Sequence, residues 1–151
     1  MGIARRAVES DLPVIIAFLH ALHKESVLVD VAIDDVKLRD FVANCLKSKG
    51  RACLIYESAH GRAEGLMIGY VAEYFFSKEK GAWDLVLYVR PERRGSLVAY
   101  RLWSEFRKWA RSQGASVMWL GAAAGVNPIL SRKFYLGLGM DEIGGIYRAR
   151  L

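Results

Sequence analysis

The residues most suited to chemistry lie in one run, Leu87-Tyr88-Val89-Arg90-Pro91-Glu92-Arg93-Arg94-Gly95-Ser96-Leu97-Val98-Ala99. It reads as the end of a strand, a tight basic turn and the start of a long helix. The first N–H groups of a helix have no partner within it, and its dipole is positive at that end, so the site suits phosphate oxygens. Gly95 lets the backbone approach a ligand closely. Ser96 adds a hydroxyl, and Arg93 and Arg94 add charge. The residues fit a pyrophosphate better than a neutral ligand. An ordinary strand–turn–helix with a solvated basic loop would carry the same residues, and at this level the two readings stay open.

Other candidates read more simply. His20 and His23 are spaced to share one helical face, but no third ligand is near in sequence, so they read as helix surface rather than a zinc site. Cys45 and Cys53 lie in apolar stretches outside any metal-like cluster. They read as buried thiols of a reduced, cytoplasmic compartment. Trp103 and Trp109 match a helix stripe and read as core. Tyr74, Phe75 and Phe76 end a strand before a polar loop and are expected to cover a sheet edge. Arg101, Arg107, Lys108 and Arg111 make a basic helix face, read as solvated. Nucleic-acid binding would need those charges joined to stacking aromatics on one surface.

The chain that must position these groups has 151 residues, 53% of them hydrophobic and 25% charged, with 14 glycines and 3 prolines. That is one domain, residues 1–151, with enough apolar content for a single core. The figures exclude disorder, collagen and coiled coil. No apolar run approaches the ~18 residues that span a bilayer, so no membrane partner is expected. The start, Met1 to Arg6, lacks the apolar core of a signal peptide. A net charge of +6 favours an anionic partner, without choosing between nucleic acid, membrane surface and a phosphate-bearing cofactor.

Residues 2–8 read as a strand. Ser10-Asp11 and Pro13 open a helix over 11–24, and Asp34-Asp35 caps a second one ending near Gly50. Strands follow at Arg51–Ser58, Glu64–Phe76 and Trp83–Val89, with a polar loop over Ser77–Gly81. A strong helix runs from about Gly95 to Gln113, with Ala99, Leu102, Trp103, Phe106, Trp109 and Ala110 as its stripe. Ser116–Gly121 is a strand, Pro128–Leu136 a short helix and Ile143–Ala149 a closing strand. The order implies an α/β layered domain with a mixed sheet, antiparallel early and partly parallel late.

In these segments the sequence resembles the GNAT N-acetyltransferase superfamily. Pro91-Glu92-Arg93-Arg94-Gly95 is similar to that family's cofactor-loop run after the Leu87-Tyr88-Val89 strand end. Ile3–Leu19 resembles its opening strand and helix, Gly65–Tyr70 its central hairpin strand, and Phe134-Tyr135-Leu136-Gly137-Leu138-Gly139-Met140 its closing motif. The resemblance runs in order along nearly the whole chain. It implies a mostly antiparallel mixed sheet flanked by helices on both faces, and transfer of an acetyl group from acetyl-CoA, without a metal, to an amine acceptor by direct attack. On that reading Arg94, Gly95, Ser96, Leu97, Val98 and Ala99 hold the pyrophosphate through backbone N–H groups. Leu87, Tyr88 and Val89 bond the pantetheine arm as a strand would, with one N–H near Val89 polarising the thioester carbonyl. Asn127 contacts the arm, and Tyr135 protonates the departing thiolate.

The chain departs from the family in three places. Leu97 stands at the first loop glycine, so its N–H remains but its side chain must point away from the phosphates. Asn127 and Tyr135 are one residue farther apart than in the commonest pattern. Trp119-Leu120-Gly121 has glycine where ribosomal-protein N-terminal acetyltransferases place a general-base Glu. Glu73 and Asp84 are the other carboxylates weighed for that role, both read as solvated strand-end groups, with Asp84 sharing the parity of Val86 and Tyr88. His20 and His23 have substrate contact as a minor alternative. Two rivals to catalysis remain: a CoA- or acyl-CoA-binding module of the same fold, and a basic nucleic-acid-binding domain. The acceptor is open among small amines, antibiotics, peptide N-termini and protein lysines, with the basic surface favouring an acidic or neutral one. A homodimer paired through the closing strand is a further expectation.

Overall fold

The computed structural model describes residues 1–151. Five strands form one sheet: β1 (Ile3–Arg6), β2 (Arg51–Glu57), β3 (Ala63–Glu73), β4 (Lys80–Val89) and β5 (Ala115–Trp119). They lie in the order β1-β2-β3-β4-β5. All neighbours are antiparallel except β4 and β5, which are parallel. Parallel neighbours need a crossover, and α3 (Val98–Ser112) supplies it. The remaining helices are α1 (Leu12–Glu25), α2 (Asp35–Lys47) and α4 (Pro128–Gly137).

Helices cover both faces, and alternation along β2 shows how. Cys53 and Ile55 join Ile15, Phe18, Leu19, Val42 and Cys45 of α1 and α2 in one core. Ala52, Leu54 and Tyr56 join Val98, Leu102, Phe106 and Ala110 of α3 in the other. A strand buried on both faces reads as an apolar run. Phe106 is fully buried, worth about 1.5–3 kcal/mol by transfer alone. Two glycines of β3 let α3 approach. A Cβ at Gly65 would lie 2.7 Å from Val98 Cγ1, and one at Gly69 would lie 2.5 Å from the Phe106 ring.

Residue ladders place Ile68 opposite Val86 but Gly69 opposite Asp84, so Leu85 is an extra residue in β4. This bulge breaks the expected parity. Val86 and Tyr88 face the α1/α2 core. Asp84 shares register with Gly69, whose missing Cβ points at Phe106 on the other face.

Three local expectations are corrected. β3 ends at Glu73, and Tyr74–Glu79 form the hairpin connection, closed by the Tyr74 N–H donating to Glu79 O (3.1 Å). Phe75 and Phe76 therefore stand in solvent rather than over a sheet edge. β4 starts at Lys80, ahead of the expected Trp83, because Gly81 tucks against Trp83 and the Tyr74 hydroxyl without a side chain of its own. The closing strand over Ile143–Ala149 is absent, and that segment has no regular structure. Its Gly144-Gly145 pair weakens strand formation. Its arginines reach the α1–α2 connection, with Arg148 Nη1 donating to Val27 O (2.8 Å) and Arg150 near Asp30 (3.6 Å). β5 is left as the sheet edge.

Candidate active site

β4 and β5 pair only as far as Trp83 opposite Trp119. Beyond that point β4 continues through Asp84–Val89 with one edge open. The wedge between the diverging strands is a cleft of about 390 Å³. Its walls are β4, the Arg93–Ser96 turn with Ala99, the 121–127 segment and the inner side of α4. An unpaired strand edge presents alternating N–H and C=O groups, which an extended amide-bearing chain can match.

Three expected residues contribute to that edge with backbone alone. Leu87 and Val89 pack against the α3 core, and Tyr88 is buried with its ring 5.1 Å from that of Phe18. All three line the cleft.

At the open end of the wedge, Gly95 takes φ +81, a left-handed conformation that favours glycine, with open space where a Cβ would stand. The N–H groups of Gly95, Leu97, Ala99 and Tyr100 have no partner in the protein. This is the orphan donor set of a helix N-terminus. Leu97 turns its side chain to solvent, 59% exposed and off the cleft wall. Val98 is buried over Gly65 and anchors the helix start. Tyr100 was not singled out from the sequence, because the resemblance ended at Ala99.

The charged and hydroxylic side chains of this loop are already engaged. Arg93 Nε donates to Glu64 (3.0 Å), itself buried in β3. Arg94 donates to Val89 O (3.1 Å) and holds Glu25 of α1 through both terminal nitrogens. Its pairing with Glu25 raises its pKa further. Ser96 Oγ donates to Arg93 O (2.6 Å) and accepts from the Val98 N–H. These side chains brace the loop, and attraction for an anion falls to the free N–H groups and the helix dipole.

The narrow end of the cleft holds different chemistry. Asp84 Oδ1 accepts from the Gly121 N–H (3.1 Å), and the Tyr135 hydroxyl donates to Gly121 O (3.4 Å). Burial, opposed by the Gly121 hydrogen bond, pushes Asp84 up to about 6. Burial and then the Asp84 charge push the Tyr135 phenol above its ordinary range. Asn127 caps α4, its Oδ1 accepting from the Leu130 N–H (3.0 Å). Asn127 and Tyr135 both line the cleft despite their extra residue of separation.

Other candidates lie elsewhere. Glu73 is at the exposed end of β3. His20 Nε2 meets Asp35 (2.8 Å), and His23 Nε2 donates to Val31 O (2.7 Å), so both fasten the α1–α2 connection. Cys45 and Cys53 are buried free thiols. No group of three or more metal-ligating side chains is present, and no helix is long and apolar enough to cross a membrane. Sequence reasoning names both Tyr135 and Asp84 but reads Asp84 as a solvated strand-end group, whereas the fold largely buries it and places it with Tyr135 on the Gly121 peptide. The one signal was an acid inside an apolar strand, and the bulge that aims it depends on cross-strand register.

A family model described as the acetyltransferase (GNAT) family matches residues 18–140, and the chain belongs to that family. Among curated proteins, none matches the sequence significantly. Solved structures share the fold. AAC(6')-Iy, solved with the bisubstrate analog CoA-S-monomethyl-acetylneamine, superposes with a TM-score of 0.79 at 19% identity, covering 100% of this chain and 99% of that one. A Trypanosoma brucei acetyltransferase gives 0.75 at 20% identity with both chains fully covered. An aminoglycoside acetyltransferase from an uncultured soil metagenomic sample, in complex with sisomicin, gives 0.72 at 15% identity over 99% and 96% of the two chains. At such identities the likeness is one of fold.

Proposed function

We propose that this protein transfers the acetyl group of acetyl-CoA directly to the amine of a small acceptor molecule. The observation that carries the reading is the open β4 edge. It leads from the free N–H groups at the start of α3, past Val89, whose carbonyl holds Arg94, and the Leu85 bulge, to the Asp84–Gly121–Tyr135 apex. A pyrophosphate fits the N–H groups of Gly95, Leu97 and Ala99, and an amide-bearing arm fits Leu87–Val89, beside Asn127. The pantetheine arm separates phosphate from thioester, so the oxyanion donor belongs nearer the Leu85 bulge than Val89, which adjoins the Arg94 end of the cleft. The amine nitrogen bonds the carbonyl carbon and loses one proton to water, the C–S bond breaks, and Tyr135 supplies the proton taken by sulfur and is reprotonated from solvent. Its raised pKa keeps that proton in place at neutral pH. A small amine-bearing acceptor accords with the aminoglycoside enzymes among the structural neighbours. The two buried free thiols accord with a cytoplasmic setting.

The test is a thermal-shift titration with acetyl-CoA, with ATP and a DNA duplex as controls, followed by thiol release with neamine and sisomicin. A hundredfold excess over the dissociation constant stabilises a protein by about 2.7 kcal/mol. A shift with acetyl-CoA alone, and thiol release that depends on an amine, is expected. A shift without thiol release would favour a non-catalytic CoA-binding module. A shift with DNA alone would overturn the reading.

A further inference from the structure

The α1/α2 core ends along the sheet at Ile68 and Val86. One row farther on the same face, Tyr70, Trp83 and Trp119 stand side by side across β3, β4 and β5. They belong to neither helical core, and their rings pack on one another. Tyr70 and Trp83 stack at 5.5 Å, Tyr74 meets Trp83 edge to face at 5.5 Å, and Trp119 Nε1 donates to the Tyr74 hydroxyl (2.8 Å). Trp119 stays 38% exposed, and the other three are half-buried. Trp83 and Trp119 are also the last pair before β4 and β5 diverge, so this aromatic floor meets the narrow end of the cleft beside Asp84 and Gly121. The opposite face is filled there. Ala82, Met118 and Leu120 pack with the α3 core, and Phe106 occupies the space over Gly69. A molecule whose amine reaches the Leu85 bulge has its open side over the rings.

Charge points the same way. The cleft wall carries one carboxylate, Asp84. On the helical side of the floor, Glu25 pairs with Arg94, Asp30 with Arg150 and Asp35 with His20, while Asp34 caps α2. The row itself begins with a cation, Arg51, opposite Tyr70 on β2. Glu73 has the parity of Val71, on the α3 side, and Glu79 lies among Lys78 and Lys80. A second ammonium group would find no unpaired carboxylate beside the floor.

We infer that the acceptor is an amine carrying an aromatic ring and no second charge, with that ring lying on the Tyr70–Tyr74–Trp83–Trp119 floor while the amine reaches the Leu85 bulge. The inference rests on the acetyltransferase reading above and narrows its acceptor class. Stacked or edge-on rings gain about 2–12-fold in affinity beyond the apolar area they bury. The same π faces attract an ammonium group as it approaches. A polycation gains less, because each further ammonium loses water with no carboxylate to replace it.

The test compares thiol release by the whole chain with 2-phenylethylamine, its saturated counterpart 2-cyclohexylethylamine, and neamine as the polycation. The kcat/KM for the phenyl compound should exceed that for neamine by about tenfold or more. It should exceed that for the cyclohexyl compound by about 2–12-fold. Trp119→Leu keeps apolar bulk and removes a ring. It should raise KM for 2-phenylethylamine by about 2–12-fold and abolish the preference for phenyl over cyclohexyl. Neamine kinetics and the acetyl-CoA thermal shift should stay within about threefold of wild type, and Trp119→Phe should restore the preference. Neamine turnover with a phenyl compound no better than neamine or the cyclohexyl compound overturns the inference while leaving the acetyltransferase reading intact. A phenyl preference that survives Trp119→Leu does the same. A wild-type protein with neither acetyl-CoA shift nor thiol release with any of the three amines overturns both.

Discussion

Replacing Asp84 by asparagine should make the folded protein more stable. The carboxyl is pushed from an ordinary 3.8 to about 6, chiefly by burial. A folded-state pKa above the unfolded value means that the native protein holds the proton more tightly. Stability is then fully present below about pH 4 and is lost as the pH rises to 6, where both states are ionised. At 1.36 kcal/mol per pH unit, that span costs the native state about 3 kcal/mol at neutral pH. Asparagine is neutral, near-isosteric and able to keep the Gly121 hydrogen bond, so it avoids this cost. For a chain of this size about 3 kcal/mol corresponds to a rise in Tm of roughly 6–12 °C. Urea unfolding of both proteins at pH 7.5 and pH 4 is the assay. The midpoints should separate at pH 7.5 and converge at pH 4. An asparagine variant no more stable at pH 7.5, or equally stabilised at both values, would refute the claim that burial of this charge is costly.

Three further outcomes follow from the packing. Leu97→Gly should leave acetyl-CoA affinity within about threefold by calorimetry, because the side chain is exposed and the loop's donor is its backbone N–H. Gly69→Ala should lower stability by about 1–3 kcal/mol in denaturant titration, since the new methyl would meet both the Phe106 ring and the Trp83 carbonyl at 2.5 Å. Tyr135→Phe should reduce kcat by about 10²–10⁴-fold in thiol release, with the acetyl-CoA thermal shift retained, and an unchanged kcat would remove Tyr135 from the chemistry.

Local sequence was enough to determine the helices, all five strands and the helix start at the basic loop. Periodicity and turn residues act within a few positions of one another, and the stripe Leu102–Phe106–Ala110 needs only its own 3.6-residue repeat. The same local logic failed at Ile143–Ala149. There apolar residues read as a strand, but the glycine pair, and the arginines that reach the α1–α2 connection, decide otherwise. The ordered motifs also pointed to the cleft-lining residues, from Leu87 through Gly95 to Tyr135.

Tertiary structure alone decided what those residues are free to do. Arg93, Arg94 and Ser96 looked like phosphate ligands because their types suit the task. Their partners Glu64 and Glu25 lie 29 and 69 positions away, and no local pattern reveals such pairings. The bulge at Leu85 is set by how β3 and β4 align, and it moves Asp84 to the opposite face from Val86. The divergence of β5 then opens the wedge in which Asp84, Gly121 and Tyr135 meet. Side-chain type and spacing are properties of the chain, whereas burial, register and the choice of partner belong to the packed fold.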